Sequence, residues 1–103
     1  MAYKLIITHE ANIDIDEIIG YIANVLKNPI AAGRLLSDIE DNFKIISENP
    51  EAFAYCSDKR LHDSGYRKIP VKNYIIFYRV DSSDGIVYIM RVLYGRRNYT
   101  DFI

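Results

Sequence analysis

The sequence predicts an α+β domain in which an N-terminal strand and a helical hairpin precede a three-stranded antiparallel run that completes one small sheet. Apolar residues recur three and four positions apart between residues 15 and 46, as on one face of a helix. From residue 66 onward, segments rich in β-branched and aromatic residues alternate with polar turns, which is typical of strands. A chain of 103 residues has room for one core, so we expect a single domain over residues 1–103.

The first predicted elements are a strand and a helix. The segment Tyr3–Thr8 is rich in β-branched and aromatic residues and has no helical period, which indicates a strand. Asp14, with Glu17 three residues later, has the form of a capping pair, because both carboxylates can accept from free amides at a helix start. We therefore expect the first helix to begin near Asp14. Its apolar stripe consists of Ile15, Ile18, Ile19, Ile22, Val25 and Leu26.

A second helix is predicted from Asn28-Pro29, because asparagine can cap a helix and proline suits its first turn. It should end at Asn49-Pro50. Its stripe consists of Ala32, Leu35, Leu36, Ile39, Phe43 and Ile46. Two striped helices joined by a tight turn usually pack on a sheet, although an exposed edge would also suit a partner.

The second half of the chain is predicted to hold one long loop and three strands. Residues 51–64 form the loop, with a turn at Asp63-Ser64-Gly65. The strands span Tyr66–Val71, Tyr74–Val80 and Ile86–Tyr94, and Asp81–Gly85 is a hairpin loop. If Val80 lies opposite Ile86, one face holds Ile75, Phe77, Arg79, Val87, Ile89, Arg91 and Leu93. The other face, which we expect the helices to cover, holds Tyr74, Ile76, Tyr78, Val80, Tyr88, Met90, Val92 and Tyr94.

Charge is distributed unevenly along the chain. Residues 1–51 hold four basic and nine acidic residues, a net charge of −5, whereas residues 52–103 hold nine basic and five acidic residues, a net charge of +4. Such a chain can present a cationic face to an anionic partner. The whole-chain net charge of −1 argues against strong non-specific binding to nucleic acid, so any cationic site has to be local.

Several function classes are disfavoured by what the sequence lacks. Its apolar runs are far shorter than the ~20 residues that span a bilayer, and no export signal is evident, so we expect a cytoplasmic protein. Cys56 alone forms no internal disulfide and, with only His9 and His62 beside it, no zinc cluster. We expect no metal and no cofactor, because no phosphate-binding glycine loop, nucleotide fingerprint or metal motif is present.

Several segments taken together resemble the RelE/ParE toxins. They are the hairpin ending in Leu35–Pro50, the triplet Gly65-Tyr66-Arg67, the strand Tyr74–Val80 and the segment Ile89–Arg97, which reads Ile-Met-Arg-Val-Leu-Tyr-Gly-Arg-Arg. Their order and spacing extend over nearly the whole chain. The resemblance implies a toxin of a type II toxin-antitoxin system, of the kind that arrests growth and stabilises plasmids, neutralised by a cognate antitoxin. It leaves two targets open: DNA gyrase, as for ParE-type toxins, and mRNA on the ribosome, as for RelE-type toxins.

An endoribonuclease that uses the ribose 2′-hydroxyl requires proton-transfer groups and cations that stabilise the charged phosphorane. The resemblance to RelE-type toxins assigns Arg67 and Arg97 to a phosphate clamp and places Arg60 near a further basic position. The proton-transfer groups match less well, because Tyr94 stands in place of a histidine. Tyr94 or Tyr99 would have to substitute, and the pKa of a tyrosine, about 10, would have to be lowered by arginine neighbours.

A gyrase poison requires a binding surface and no proton shuttle. The segment Arg91–Arg97 with its short tail is similar to ParE-type sequences, and the incomplete acid–base set and mildly acidic chain fit that branch, which we favour. The target-binding residues would be Arg60, Arg67, Arg91, Arg96, Arg97 and Tyr99, and an RNase would use Arg67, Arg97 and Tyr94 for catalysis. A simpler interpretation is that the arginines are solvated or paired with acids and the tyrosines are packed, as in a degenerate toxin or a plain interaction module.

Overall fold

The computed structural model describes residues 2–103, in which four strands form one sheet and two long helices pack on one of its faces. The strands are β1 (Lys4–Ile7), β2 (Arg67–Val71), β3 (Tyr74–Asp81) and β4 (Ile86–Tyr94), and the helices are α1 (His9–Gly20), α2 (Pro29–Glu48) and α3 (Lys59–Asp63). A short 3-10 turn, Tyr99–Asp101, lies near the C-terminus. This architecture confirms the predicted α+β class, with its N-terminal strand, helical hairpin and three-stranded antiparallel run.

The first helix begins earlier than predicted, at His9. Thr8 is the N-cap, and its Oγ1 accepts from the backbone N–H of Ala11 at 3.3 Å and donates to the carbonyl of Ile89 at 2.8 Å. Glu10 adds negative charge to the first turn, which suits the positive end of the helix dipole. The predicted cap, Asp14, therefore lies inside the helix, and its carboxylate is available for a tertiary contact.

The hairpin tip differs from the prediction because α1 is followed by a π turn. Residues Tyr21–Val25 are π-helical, and the N–H of Leu26 donates to the carbonyl of Tyr21, one residue further back than in an α-helix. One extra residue rotates the following side chains by about 100° around the axis. Val25 and Leu26, which were predicted to lie in the buried stripe, are 63% and 56% exposed. That part of the prediction is wrong, whereas the earlier stripe residues pack against the core.

The second helix begins and ends as predicted. The side chain of Asn28 accepts from the backbone N–H of Ala31 at 3.1 Å, and Pro29 occupies the first turn. The helix ends at Glu48, where Asn49 is the C-cap. Its buried residues are Ala32, Leu35, Ile39, Phe43 and Ile46, all members of the predicted stripe.

The segment between α2 and β2 is more regular than predicted, because it contains α3. Asp58 caps this helix by accepting from the backbone N–H of Leu61 at 3.1 Å, and Leu61 is buried. The predicted turn follows at Gly65, whose φ of +82° favours glycine. The N–H of Lys68 donates to the carbonyl of Ala54, so part of this segment runs along the edge of β2.

The sheet has the strand order β1-β4-β3-β2. β1 is parallel to β4, and the other two pairs are antiparallel. The first strand of the chain therefore lies beside the last. Strand bounds differ slightly from the prediction, since β2 begins at Arg67 and β3 extends to Asp81.

The register of the β3–β4 hairpin differs by one residue from the prediction, because Val80 pairs with Val87. A slip of one residue turns every side chain of a strand to the opposite face. Val87 and Ile89 consequently pack toward the helices, contrary to the prediction, whereas Tyr88 pairs with Arg79 on the opposite face. We call these two surfaces the helix face and the outer face.

A bulge corrects the slip further along the hairpin. Phe77 pairs with Arg91 and Tyr78 pairs with Ile89, so Met90 is an extra residue in β4. Beyond the bulge, Val92 packs in the core of the helix face and Leu93 packs on the outer face, as predicted. The two deviations together explain why only the first half of β4 was assigned to the wrong faces.

The core of the helix face is built from the stripes of both helices and from alternate residues of the sheet. Tyr78 is completely buried there, and its hydroxyl donates to the carbonyl of Pro50 at 2.8 Å. Burial raises the pKa of Tyr78 to about 12, although the nearby positive charge of Arg67 acts in the opposite direction. The phenol is therefore a neutral hydrogen-bond donor that fastens the end of α2 to the sheet.

Two structural features concern functions that the sequence disfavoured. Within residues 2–103, no helix combines the length and apolar character needed to cross a membrane. Over the same residues, His, Cys, Asp and Glu side chains form no group of three or more that would hold a metal ion. Cys56 is buried, and burial raises the pKa of its thiol above the usual value.

Candidate functional site

The outer face carries a small apolar cluster, here called the outer cluster. Its buried members are Cys56, Leu61, Phe77 and Leu93, and its partly buried members are Tyr66, Ile75, Tyr99 and Ile103. Residues 98–103, here called the tail, contribute two of these side chains. The ring of Tyr99 lies on that of Phe77, with 4.9 Å between their centroids. Tyr99, a predicted target contact, is therefore also a packing residue of the outer cluster.

Two of the predicted target-binding arginines hold the tail. The guanidinium of Arg60 donates to the carbonyl of Thr100 at 2.8 Å, and that of Arg91 donates to the carbonyl of Phe102 at 2.6 Å. Arg91 also forms a bidentate ion pair with Asp14, at 2.7 Å from Nε and 2.9 Å from Nη2. The hydrogen bond with Asp14 raises the pKa of Arg91, which keeps the guanidinium charged.

Arg96 and Arg97 lie between β4 and the tail, and both are exposed. Arg97 stacks on Phe102, with its guanidinium carbon 4.1 Å from the ring centroid, a cation–π contact. Within residues 2–103 neither arginine has a carboxylate partner. They are the two predicted site residues most available to an external anionic group.

Arg67 lies elsewhere, at the start of β2. Its Nη1 donates to the carbonyls of Phe53 at 2.6 Å and of Glu51 at 3.3 Å. Its guanidinium carbon also lies 3.9 Å from the centroid of the Tyr55 ring. Arg67 thus holds the segment that follows α2, and its donors are directed at the protein's own backbone.

Tyr94 lies apart from Arg67, although the backbone N–H of Arg97 donates to the carbonyl of Tyr94 at 3.0 Å. Its ring contacts that of Tyr74 at a centroid distance of 5.8 Å, and Tyr74 packs against the core of the helix face, whereas Tyr99 packs on the outer face. Arg67 pairs with Tyr78 and Tyr94 pairs with Tyr74. Four residues of strand, about 13 Å, therefore separate Arg67 from Tyr94 along the sheet. The three residues proposed for an RNase do not converge.

The outer face nevertheless presents a cationic surface. Lys68 lies 6.0 Å from the ring centroid of Tyr99, and the guanidinium of Arg79 lies 5.6 Å from that of Tyr66. Of the nine basic residues in the second half, three have carboxylate partners within residues 2–103, namely Lys59, Lys72 and Arg91. The remaining charges contact aromatic rings, backbone carbonyls or solvent, and they attract anions.

Asp14, which was predicted to form part of a helix cap, instead contacts a predicted site residue. It is 8% exposed and lies in the middle of α1, where its carboxylate accepts from Arg91 and from the backbone N–H of Val92 at 3.0 Å. A signal was present, because Asp14 lies three residues after Ala11 and four before Ile18, within the apolar stripe. An acid at such a position predicts a buried partner.

The hairpin tip forms a separate apolar surface, here called the apolar tip. It consists of exposed Tyr21, Val25, Leu26 and Ile30, and Ile30 is 69% exposed. A groove beside it reaches across to Lys72 and Tyr74 near the β2–β3 turn. Exposed apolar side chains gathered at one end of a small protein mark a surface for a partner.

Three solved structures of similar fold come from toxin-antitoxin systems or contain a toxin. The structure from the chromosomal ParDE toxin-antitoxin system of P. aeruginosa matches with a TM-score of 0.72 and 21% identity, covering 90% of this chain and 96% of that one. The toxin-antitoxin complex RelBE2 of Mycobacterium tuberculosis matches with a TM-score of 0.64 and 19% identity over 91% and 99%. The mutant E. coli toxin RelE in its free state matches with a TM-score of 0.65 and 15% identity over 99% and 93%. At these identities the likeness concerns the fold.

Comparisons of the sequence itself give two results. Residues 5–99 match the model of a family described as the ParE toxin of the type II toxin-antitoxin system parDE. The comparison with curated proteins gives no significant match. The matched region includes every strand except the first residue of β1, both long helices, and all of the predicted site arginines.

Proposed function

Because the chain belongs to the ParE toxin family of type II toxin-antitoxin systems, we propose that it arrests bacterial growth in the cytoplasm by binding DNA gyrase. The observation that carries this proposal is the separation of Arg67 from Tyr94, two of the three candidate catalytic residues. Arg67 donates to backbone carbonyls at one end of β2, Tyr94 packs against Tyr74, and Arg97 stacks on Phe102. A binding toxin needs no convergence of these groups, whereas an RNase does.

The surface proposed to contact gyrase is the outer face beside the tail. Arg96 and Arg97 are exposed there, and Arg60 and Lys68 add positive charge at its margin. Arginine is well suited to such contacts, because its planar guanidinium binds carboxylates and phosphates bidentately. The carboxylates or phosphates bound by these arginines would belong to gyrase or to the DNA that gyrase holds.

The target is tested with purified protein in two parallel assays. We expect the unaltered chain to inhibit gyrase supercoiling and to leave ribosome-bound mRNA intact. The double variant Arg96→Ala/Arg97→Ala should raise the half-inhibitory concentration about tenfold or more, the effect of losing one or two charge-assisted contacts. The matched control Lys4→Ala/Lys44→Ala removes the same charge from exposed positions of β1 and α2. Cleavage of ribosome-bound mRNA without inhibition of gyrase would replace the proposal with the RelE-type activity.

The proposed partner is a cognate antitoxin, and the apolar tip is the surface proposed for it. Val25, Leu26 and Ile30 are more than half exposed, and an amphipathic helix of a partner would bury them. Lys72 in the adjoining groove would favour acidic residues at the edge of that helix. ParDE and RelBE2, whose folds this chain shares, are toxin-antitoxin pairs, which supports the proposal.

Leu26→Ser tests the antitoxin proposal. Burying a leucine contributes about 1.5–3 kcal/mol, so this variant should weaken antitoxin affinity roughly tenfold or more in calorimetric titration while gyrase inhibition is unchanged. Ile45→Ser is the control, because Ile45 is also exposed but lies about 22 Å further along α2 from Ile30. Equal antitoxin affinities for the two variants would exclude the apolar tip as the docking site.

A further inference from the structure

Asp14 is the one buried charged side chain among residues 2–103. Its two carboxylate oxygens accept from Nε of Arg91 at 2.7 Å, from Nη2 of Arg91 at 2.9 Å, and from the backbone N–H of Val92 at 3.0 Å. Three donors therefore converge on one carboxylate in the middle of α1.

The position of Asp14 follows from the short length of β1. β1 ends at Ile7, which pairs with Ile89, so the edge of β4 beyond that point has no neighbouring strand. The backbone N–H of Val92 is buried on this edge and needs an acceptor. α1 starts where β1 stops and brings the carboxylate of Asp14 to the place that a longer β1 would have filled.

Arg91 carries the effect of Asp14 to the tail. Two of its nitrogens are held by the carboxylate, which fixes the plane of the guanidinium. The third nitrogen, Nη1, then points at the carbonyl of Phe102 and donates to it at 2.6 Å. A lysine has no such geometry, because its ammonium is a single point charge on a flexible stem.

The tail has three other kinds of attachment. Arg60 donates to the carbonyl of Thr100, Tyr99 and Ile103 pack in the outer cluster, and Phe102 carries the guanidinium of Arg97. Asn98, Asp101 and Phe102 are exposed. Within residues 2–103, Arg91 makes one of the two hydrogen bonds that side chains outside the tail donate to its backbone, so loss of this contact should loosen residues 99–103.

We propose that Asp14 is a positioning residue: through Arg91 it holds the tail in the conformation in which Arg96 and Arg97 face the target. The effect on target binding rests on the proposed function, whereas the attachment of the tail through Arg91 does not depend on it. Asp14 is too buried to contact the target directly and acts through the guanidinium that it orients. Loosening the tail leaves the apolar tip unchanged, because the tip lies at the far end of α1.

Asp14→Asn tests the positioning role, because asparagine keeps the shape and an acceptor for Val92 but loses the charge that orients Arg91. We expect the amides of Asp101 and Phe102, which donate to Asn98 and Tyr99, to exchange hydrogen about tenfold faster. The half-inhibitory concentration for gyrase should rise about tenfold as well, with antitoxin affinity unchanged. Asp38→Asn, which breaks an exposed ion pair with Lys72, is the control for hydrogen exchange and gyrase inhibition.

Two further variants separate positioning from general support of the fold. Arg91→Lys retains the positive charge and should still free the tail, since its single nitrogen cannot replace the three guanidinium nitrogens that contact Asp14 and Phe102. In a Tyr99→Ala background, where the tail is already loose, Asp14→Asn should reduce gyrase inhibition by less than it does alone. If the ion pair only supports the fold, Asp14→Asn should reduce gyrase inhibition equally in both backgrounds.

The outcomes distinguish this inference from the proposed function. Exchange of the tail amides can be measured without a target. Faster exchange in Asp14→Asn, together with no gyrase inhibition by the unaltered chain, would overturn gyrase as the target and leave the positioning role of Asp14 in place. Unchanged exchange in both Asp14→Asn and Arg91→Lys would overturn the positioning role. If Asp14→Asn does not fold, Arg91→Lys supplies the same comparison.

Discussion

The two faces of the sheet are covered in very different ways. The core of the helix face contains thirteen buried residues from β2, β3, β4 and both long helices, and β1 adds partly buried residues to it. The outer cluster contains four, and irregular chain and the tail cover it. Free energy of unfolding scales with buried apolar area, so most of it comes from the helix face. The outer face can therefore be specialised for binding, since segments held by few contacts are free to rearrange on a partner.

Charge follows the same division. The helix face buries one ionised group near its margin, the carboxylate of Asp14, and that group is fully paired. The outer face is bordered by Lys68 and Arg79, which lie over aromatic rings without carboxylate partners within residues 2–103. A positive surface of this kind weakens the folded state slightly through self-repulsion. Its retention beside a small apolar cluster is consistent with a role in binding.

The largest difference between the faces is expected for Ile89→Ala. Ile89 is completely buried on the helix face, and the variant should lower the free energy of unfolding by about 2–5 kcal/mol in urea titration. Ile45→Ala, on the exposed side of α2, should change it by about 0.5 kcal/mol or less. Similar losses for the two variants would contradict the assignment of the first half of β4 to the core.

Tyr78→Phe should have an intermediate effect on the free energy of unfolding. The change leaves the carbonyl of Pro50 without its donor, which should cost about 1–3 kcal/mol at neutral pH. The pKa of Tyr78 is raised from 10.0 to about 12, so its neutral form stabilises the folded state fully below pH 10, and this contribution is lost as the pH rises to 12.

The alkaline loss from Tyr78 amounts to roughly 3 kcal/mol over two pH units, and Tyr78→Phe should lack it. Urea titrations of the unaltered chain and of Tyr78→Phe at pH 7, 10 and 12 provide the measurement. Both proteins contain the other tyrosines, so ionisation of those residues affects both alike. The difference in stability between them should therefore shrink above pH 10. A constant difference would show that the phenol ionises in the folded state as readily as in the unfolded one.

The smallest global effect is expected for Tyr99→Ala, on the outer face. Removing the ring from Phe77 should cost about 1 kcal/mol, because the tail can collapse into part of the space. Exchange of the Phe102 amide should become much faster than exchange of amides in β4. If hydrogen exchange of the β4 amides becomes faster by the same factor, the outer cluster and the core of the helix face unfold together. The two faces would then not differ in stability.

The parts of the fold that depend on local chemistry were predictable. The cap at Asn28, the proline after it and the end of α2 at Asn49 follow from residues within one turn of each boundary. The hairpin of β3 and β4 was also recognisable, because two alternating apolar segments flank a short polar loop. Membership of the toxin family followed from the order of these elements and the arginine-rich end of β4.

The parts that depend on distant contacts were not predictable in the same way. Met90 makes a bulge only because of how β4 meets β3, and the π turn at Tyr21–Val25 depends on how the hairpin closes. The site arginines were identified by type, but their partners lie far away in sequence: Asp14 is 77 residues from Arg91, and Arg60 is 40 residues from Thr100. A sequence pattern shows which residues carry charge, whereas only the folded chain shows which of them is already paired.

The parallel pairing of β1 with β4 has a consequence for the order in which the chain folds during its synthesis. Lys4 pairs with Ile86 and Ile7 pairs with Ile89. The first strand to be synthesised can therefore pair only after the last strand has been made. Pairings this distant in sequence form slowly and late. A nascent chain that stops before Ile86 also lacks Arg91, Arg96 and Arg97. Interrupted synthesis would therefore yield fragments without the proposed working surface.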